Sequence, residues 1–387
     1  MLILAVILAA LSLLIWIVLT FFRGAFWQLQ AFSGDAPAGG PALRSPRVVA
    51  IVPARNESET IARCVVSLLG QNYAGEFHVI VVDDHSDDCT AAQAQSVAHS
   101  PSGSTRVAVL PATALPSGWT GKLWALQQGL TASASFSPDY LWFTDADIVH
   151  APDTLQRLVS RAARQELDLT SLMVLLNART IPERLLIPPF LYFFLMLYPP
   201  KWIADPQAKT AGAAGGCILL RRDALDRIGG IASLRNQVID DCALARAVKR
   251  TGGKVWMGLT RQSVSLRAYA TLAQIRDLIA RTAFTQLRYS PLLLFATVLG
   301  MLLTYVAPVI LSFHTAPVVW LISLTAWVLM TLTFLPAVRF YRLLPFWALL
   351  LPVAALFYSY ATCLSAARYW MGHGGQWKGC AQAQARP

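Results

Sequence analysis

The chain of 387 residues is apolar and basic, with 55% hydrophobic residues, 14% charged residues and a formal net charge of +11. The charged fraction is about half that of an ordinary globular domain, which argues against a wholly soluble protein and favours membrane-spanning segments. The net charge suits nucleic acid, an anionic membrane surface or phosphate-bearing substrates. The lack of a basic repeat interleaved with aromatic residues disfavours nucleic acid. Six scattered cysteines without a C-x-x-C pair predict neither a zinc site nor a disulfide framework.

Residues 1–23 predict an N-terminal transmembrane anchor. Residues 1–22 are almost uninterruptedly apolar and Arg23 follows them, so the segment is long enough to cross a bilayer as one helix. A cleaved signal peptide would carry a basic n-region and a shorter apolar core, so we expect the anchor to be retained. Residues 33–46 are rich in glycine, proline and small residues and predict a linker.

Residues 47–290 predict one α/β domain. Short β-branched runs alternate there with helical stretches, which is typical of a mostly parallel sheet, and the length suffices for one buried core. The predicted strands are 48–52, 79–82, 106–110 and 140–144, and the predicted helices are 59–69, 89–98 and 122–132.

The segment 185–203 is an apolar insertion within this domain, with a proline pair on each side of its centre. Only nine residues lie between Pro188-Pro189 and Pro199-Pro200, too few for a helix to span a bilayer. We interpret the segment as interfacial, with tyrosine, tryptophan and lysine side chains at the headgroups. A buried core helix is the alternative.

Residues 291–366 predict C-terminal membrane helices, followed by a basic tail at 367–387. The three apolar runs are 291–313, 317–336 and 345–363. Arg23 and the many basic residues between 221 and 288 predict that the soluble domain faces the cytoplasm at the inner membrane. Three crossings would place the basic tail on the opposite side, so the number of crossings and the side of the tail stay open.

Asp145 and Asp147 follow the aromatic-rich strand at 140–144. Open α/β sheets bind ligands beyond the carboxyl ends of their strands. At a turn, two carboxylates can converge on one hard cation such as Mg²⁺ or Mn²⁺. The alternative is an N-cap aspartate for the next helix.

Polar clusters also follow the first two strands, at 53–57 (P-A-R-N-E) and 83–88 (D-D-H-S-D-D). Adjacent strands that both end in polar residues suggest one ligand across the sheet edge. Asp84 is the candidate for binding a base or a ribose. For Ser86, Asp87 and Asp88 helix capping is the preferred explanation.

Three further features carry possible chemistry. Lys122 is flanked by glycine at the start of a helix, where it can neutralise a diphosphate, although a surface lysine is the alternative. The glycine-rich stretch 211–217 leaves room for a substrate. Asp240 and Asp241 open a helix whose dipole favours carboxylates, and an ionised carboxylate there can act as a base toward a hydroxyl.

The strings P-A-R-N-E, V-V-D-D-H-S-D-D, F-T-D-A-D, G-G-C-I-L-L-R-R and I-D-D-C-A-L stand in the order seen in membrane-associated family 2 glycosyltransferases, which this chain resembles. Within that family it resembles the bacterial hopanoid-biosynthesis-associated members, on the F-T-D-A-D-I-x-H string and the W-K-G stretch near Trp377. The resemblance implies a GT-A-like nucleotide-diphospho-sugar transferase domain and a nucleotide-sugar donor, a UDP-sugar first of all. It also implies a lipid or isoprenoid acceptor at the membrane and a Mn²⁺ or Mg²⁺ cofactor.

The same resemblance implies roles for single residues. Asp147 would ligate the divalent cation that bridges the diphosphate, and Asp145 would contact this cation, a water bound to it or the ribose. Asp241, with Asp240 beside it, would be the base in a single displacement with inversion. The predicted nucleotide-sugar-binding residues are Pro53, Ala54, Arg55, Glu57, Asp84, Lys122, Asp145 and Arg288.

Two departures from the family pattern limit the transfer of roles. Many relatives carry Q-x-x-R-W, whereas residues 285–289 read T-Q-L-R-Y, which leaves the role of Arg288 open. The acidic pair is Asp-Asp where Glu-Asp is commoner, so either carboxylate could reach the hydroxyl.

The sequence disfavours two alternative functions. A processive polysaccharide synthase would need polar or ionisable residues within its spans, but the C-terminal runs carry only His314 at a boundary. A non-catalytic membrane scaffold with a degenerate transferase domain is disfavoured because all the carboxylates are present.

Overall fold

A computed structural model describes residues 2–29, 31–32, 45–100, 106–372, 376–377 and 380–381. Most of the predicted linker at 33–46 and much of the predicted tail at 367–387 lie outside the described residues. The strands are β1 (Val48–Ala54), β2 (Phe77–Asp83), β3 (Val107–Pro111), β4 (Tyr140–Phe143), β5 (Ile148–His150), β6 (Leu169–Leu175), β7 (Ile218–Arg221), β8 (Val255–Ser265), β9 (Gln376–Trp377) and β10 (Cys380–Ala381). The helices are α1 (Leu2–Ile17), α2 (Ile61–Leu69), α3 (Thr90–Ala98), α4 (Gly121–Ser133), α5 (Thr154–Gln165), α6 (Ile181–Leu197), α7 (Pro200–Ala204), α8 (Arg222–Arg227), α9 (Asp240–Arg250), α10 (Leu272–Ala280), α11 (Ala283–Gln286), α12 (Pro291–Met301), α13 (Ala307–Leu311), α14 (Pro317–Phe340) and α15 (Leu351–Trp370).

The chain divides into two compact units. The helical unit comprises Met1–Leu29, Asn177–Lys201 and Tyr269–Gly375, and the sheet unit comprises Gln30–Leu176, Trp202–Ala268 and Gln376–Pro387. The sequence assigned 47–290 to one domain. By their contacts, its segments 177–201 and 269–290 instead group with the apolar helices.

The sheet unit is built on an eight-stranded sheet with the order β3-β2-β1-β4-β7-β6-β8-β5. Strands β1 to β4 run parallel to their neighbours in the first half of this order. Strand β7 is antiparallel to β4 and β6, whereas β8 is parallel to β6 and antiparallel to β5. The predicted α/β fold with a mostly parallel sheet is confirmed, and β5 and β7 are its reversed strands.

Helices cover the sheet with apolar faces. In α2 the buried residues Ile61, Cys64, Val65 and Leu68 recur with the spacing of one helix face. All seven residues of β1 are buried, as expected for a central strand with helices on both sides. Gly129 of α4 allows the helix to approach β1 closely, because a Cβ there would lie 2.4 Å from Cγ2 of Ile51.

The helical unit contains the segments that are long and apolar enough to cross a membrane. Within the described residues, these four are Leu2–Phe22, Pro291–Leu311, Pro317–Phe340 and Pro345–Trp370. Large apolar side chains on them face outward, including Ile3, which is 78% exposed, and Leu292, which is 74% exposed. Such outward apolar surface suits lipid contact.

The segment 185–203 is more helical than its prolines suggested. Helix α6 continues through Pro188-Pro189, and Thr180 begins it with a capping box in which Glu183 returns a hydrogen bond. The side chain of Tyr192 lies 2.9 Å from Oγ1 of Thr333, so α6 packs inside the helical unit. This packing matches the alternative of a buried helix, and contact of the segment with a bilayer stays a prediction.

Candidate active site

The strand directions bring distant parts of the sequence to one edge of the sheet. Strands β1 and β4 are parallel, so their carboxyl ends share this edge. Strand β7 is antiparallel to β4 and pairs Ile218 with Phe143, so the glycine stretch before β7 arrives beside the turn after β4. Strand β8 ends at the same edge, where Ser265 pairs with Ile148. The topology therefore brings the ends of β1, β4 and β8 and the stretch before β7 to one edge of the sheet.

An ion-pair cluster forms between the turn after β4 and the start of α9. The Nζ atom of Lys122 lies 2.9 Å from Oδ1 of Asp145 and 3.5 Å from Oδ2 of Asp240. Burial alone would lower the pKa of Lys122, but the carboxylates of Asp145 and Asp240 hold it above its ordinary value. The lysine thus places a positive charge between two carboxylates, and its predicted binding of a diphosphate stays a prediction.

Asp241 is held by backbone amides at the start of α9. Its Oδ2 accepts a hydrogen bond of 2.9 Å from the N–H of Gly215, and its Oδ1 accepts one of 2.7 Å from the N–H of Cys242. Burial and the neighbouring Asp240 raise the pKa of Asp241 to about 6, against the opposing effect of Lys122. A carboxylate with this pKa is largely ionised at neutral pH and can accept a proton.

Gly215 allows this close arrangement. A Cβ at this position would lie 3.3 Å from Nζ of Lys122 and 3.4 Å from Oδ2 of Asp241. A side chain here would crowd both charged groups. Gly215 belongs to the stretch 211–217, for which room for a substrate was predicted, and the use of this stretch by a substrate stays a prediction.

Asp147 points into a second cluster, which the sequence analysis missed. Its Oδ2 accepts hydrogen bonds from Oγ of Ser265 at 3.0 Å and from Nε of Arg267 at 3.2 Å. The same guanidinium forms an ion pair with Glu57. Burial and the Asp145 charge raise the pKa of Asp147, and Arg267 opposes that rise. Arg267 therefore ties the loop after β1 to the turn after β4.

Asp84 and Arg55 form a third group at the ends of β1 and β2. Nη1 of Arg55 donates to the carbonyl of Asp84 at 2.8 Å and lies 3.5 Å from its Oδ2. Nδ1 of His85 lies 3.2 Å from Oδ1 of the same aspartate. Ala54 contributes its backbone, since its carbonyl accepts from the N–H of Asp84 at 2.8 Å. The predicted nucleotide-pocket residues on these two strands thus lie together.

The neighbouring residues of the β2 loop hold backbone groups. Asp88 accepts from the N–H of Thr90 at 2.9 Å and from the N–H of Ser58 at 3.2 Å. Oγ of Ser86 accepts from the N–H of Asn56 at 3.0 Å. These contacts give Ser86 and Asp88 local structural roles, which is the kind of role that the sequence analysis preferred for them.

One pocket joins the candidate catalytic residues. Most of its lining residues are apolar, and its charged residues include the ion-paired Lys122, Asp145 and Asp240, as in sites that orient a small polar ligand. The lining residues are Pro53, Lys122, Leu123, Leu126, Phe143, Thr144, Asp145, Gly215, Ile218, Ile231, Leu234, Asp240, Asp241 and Leu244.

Asp145 and Asp147 provide two hard oxygen donors in one turn. Among the described residues, no group of three or more histidine, cysteine, aspartate or glutamate side chains is placed to hold a metal ion. Magnesium sites commonly use one or two carboxylates and complete the shell with substrate phosphates and water. In the structure Asp145 pairs with Lys122, and Asp147 pairs with Arg267. By donor type the two carboxylates would suit a cation that arrives with a diphosphate, and metal binding stays a prediction.

Residues 49–229 match the family model described as Glycosyl transferase family 2. The chain carries a family 2 glycosyltransferase domain. It is 34% identical over 134 residues to an N-acetylglucosaminyltransferase of Mesorhizobium japonicum and 31% identical over 117 residues to one of Rhizobium leguminosarum bv. viciae. These matches cover 34% and 30% of this chain, but only 29% and 25% of the two relatives.

The fold is similar to that of a solved structure over nearly the whole chain. This structure is the mannosyltransferase PcManGT from Pyrobaculum calidifontis in complex with GDP-Man and Mn²⁺, with a TM-score of 0.58 and 19% identity. The match covers 94% of this chain and 97% of that one. It confirms the predicted GT-A-like fold of the family 2 domain.

Sequence reasoning found most of the cluster but not all of it. Ser265 is the last residue of β8, a strand that was not predicted, and Arg267 lies two residues after it. Their signal was the alternating S-V-S-L-R ending, in which polar residues recur at every second position. Arg288 lies in the helical unit with a left-handed φ of 53°. Its predicted role toward the diphosphate stays a prediction.

Proposed function

We propose that the chain is an inverting glycosyltransferase that moves a sugar from a nucleotide diphosphate sugar to a lipid-type acceptor at a membrane. One observation carries this proposal: Lys122, Asp145, Asp240 and Asp241 surround one pocket at the carboxyl edge of the sheet. An ammonium group suits a diphosphate, and a buried carboxylate beside it suits a reacting hydroxyl.

The proposed reaction needs one protein base. Asp241 takes the proton of the acceptor hydroxyl while the hydroxyl oxygen bonds to the anomeric carbon of the donor. The bond from that carbon to the diphosphate oxygen breaks, and the nucleoside diphosphate leaves with the electron pair. Attack opposite to the leaving group inverts the anomeric configuration. Lys122 stands where its charge can bind the departing diphosphate.

Further residues at the carboxyl edge of the sheet have proposed roles in donor binding. Asp84 would accept hydrogen bonds from the base or ribose, with the Arg55 guanidinium paired to its carboxylate. Asp145 and Asp147 are the residues that would hold a divalent cation, Mn²⁺ or Mg²⁺. When bound, such a cation supplies positive charge to the diphosphate.

The lipid-type acceptor is proposed from the apolar helices. Four segments are long and apolar enough to cross a membrane, and a transferase anchored by them would work where the polar head of an amphiphile emerges. Among such acceptors, the sequence resemblance favours an isoprenoid of the hopanoid type. We further propose that the site faces the cytoplasm at the inner membrane, where nucleotide sugars are made available.

The test is transfer of labelled sugar in membranes that contain the full chain. UDP-N-acetylglucosamine is the first donor to try, because the similar relatives are named N-acetylglucosaminyltransferases. Other UDP-sugars and GDP-mannose complete the panel, and membranes with Asp241→Asn are the matched control. We expect label in the lipid extract only with the unaltered chain.

The other outcomes each contradict the proposal. Label found only in a water-soluble polymer would support a polysaccharide synthase. No label with any donor would support a membrane scaffold with a degenerate transferase domain.

A further inference from the structure

His150 lies fully buried behind the turn that carries Asp145 and Asp147, and both of its ring nitrogens have partners. Its Nε2 lies 2.9 Å from Oγ1 of Thr144, and its Nδ1 lies 2.8 Å from Oγ of Ser263. The imidazole therefore connects the end of β4, strand β5 and strand β8. Neither the proposed reaction nor the proposed donor pocket uses this histidine.

The protons of this chain of hydrogen bonds can be assigned. Oγ1 of Thr144 also donates to the carbonyl of Gly216 at 3.0 Å, and a carbonyl can only accept. Since the threonine hydroxyl has one proton, it must accept from Nε2–H of His150. Burial lowers the pKa of His150 to about 3, so the ring is neutral and Nδ1 accepts from Ser263.

The series of hydrogen bonds that begins at His150 ends beside Asp241. Gly216 follows Gly215, whose N–H donates to Oδ2 of Asp241 at 2.9 Å. The carbonyl of Gly216 and the N–H of Gly215 belong to adjacent residues. A change at His150 that releases this carbonyl can therefore alter the position of the N–H that holds the carboxylate.

We propose that His150 is a positioning residue that holds the carbonyl of Gly216, through the hydroxyl of Thr144, and thereby keeps the N–H of the adjacent Gly215 in the place where it orients Asp241. The inference rests on the proposed function, because it takes Asp241 as the base. These hydrogen bonds connect the turn after β4 to the start of α9. They would fix the position of Asp241 relative to the residues beside the donor diphosphate.

Two substitutions interrupt this series of hydrogen bonds at different points. His150→Phe keeps a buried ring but removes the Nε2–H donor, and Thr144→Val keeps the shape but removes the hydroxyl. His150→Gln offers an amide N–H near the place of Nε2 and should retain part of the effect. His99→Phe, at an exposed position after α3, is the matched control.

The first readout is hydrogen–deuterium exchange of the purified full chain in detergent. We expect the peptide covering residues 211–217 to exchange about five- to tenfold faster in His150→Phe and in Thr144→Val, because one hydrogen bond of its anchor is lost. The double variant should exchange no faster than either single variant, since both interrupt one chain. His99→Phe should exchange like the unaltered protein.

The second readout separates kcat from the KM of the donor. We expect His150→Phe to lower kcat about tenfold or more while the donor KM changes less than about threefold, because a misplaced base affects the reaction step. Unchanged exchange at 211–217 in a folded His150→Phe would overturn the inference, as would fully additive effects of the two substitutions. If the unaltered protein transfers no sugar, the proposed function is contradicted. The exchange experiment still tests whether His150 holds the glycine stretch through Thr144.

Discussion

Lys122 and Asp145 form an ion pair with 2.9 Å between Nζ and Oδ1, which joins the start of α4 to the turn after β4. The same ammonium lies 3.5 Å from Asp240. Two acidic stretches almost one hundred residues apart thus share one cation. In a transferase the ammonium group of Lys122 would contact the diphosphate of the donor, and it would lower the pKa of the base, Asp241.

Replacing Lys122 by methionine should weaken donor binding. The substitution keeps an unbranched chain but removes the charge, so we expect the donor KM to rise about tenfold or more. Lys209→Met, at an exposed position of the sheet unit, is the control. Steady-state kinetics with varied donor concentration measure the effect. An unchanged donor KM in Lys122→Met would remove the lysine from the donor site.

The transfer rate should depend on the protonation of Asp241. The pKa of Asp241 is raised to about 6, and the base works when ionised. We therefore expect kcat to be at its full value above that pH and to fall about tenfold per pH unit below it. Asp241→Asn should bind the donor but lose about 10²- to 10⁴-fold in transfer. A rate that does not change through this pH range would contradict the assignment.

Arg267 should stabilise the sheet unit and the site together. Arg267→Gln leaves Asp147 and Glu57 without their shared cation, so we expect the free energy of unfolding to fall by about 1–3 kcal/mol. The control is Arg157→Gln, whose ion pair with Asp153 lies within one surface helix turn and should contribute less than about 1 kcal/mol. Thermal or denaturant unfolding in detergent measures both. Equal losses of unfolding free energy in the two variants would show that the ion pairs of Arg267 stabilise the protein no more than a surface ion pair does.

A divalent cation should be required for transfer. We expect EDTA to abolish activity and Mn²⁺ or Mg²⁺ to restore it, because Asp145 and Asp147 fit a cation that arrives with the diphosphate. Asp147→Asn should raise the cation concentration for half-maximal activity about tenfold or more. Full turnover in the presence of the chelator would exclude this role for the two carboxylates.

His150 should make the stability of the protein depend on pH. Its folded pKa is about 3, below the ordinary value of 6.5, so the unfolded chain binds a proton that the folded one does not. Its contribution is complete above about pH 6.5 and decreases by about 1.4 kcal/mol per pH unit as the pH falls toward 3. His150→Phe should flatten the curve of unfolding free energy against pH in this window. A curve that keeps its slope in the variant would contradict the neutral, buried state.

The sequence by itself determined the local elements and most of the candidate chemistry. Strand β1 reads as a continuous β-branched run, and the polar residues after β1, β2 and β4 mark strand ends without any tertiary information. Apolar length alone determined the four membrane-length helices. These features depend on neighbouring residues, which is why pattern and composition suffice for them.

The tertiary structure decided which of these residues meet. Arg267 lies 120 residues after Asp147, and the pairing of β5 with β8 brings them together. The antiparallel strand β7 brings Gly215 to Asp241. Helix α6 continues through its proline pair and packs against other helices of the helical unit. Contacts of this kind arise from strand order and burial over long sequence separations, and no local pattern in the chain records them.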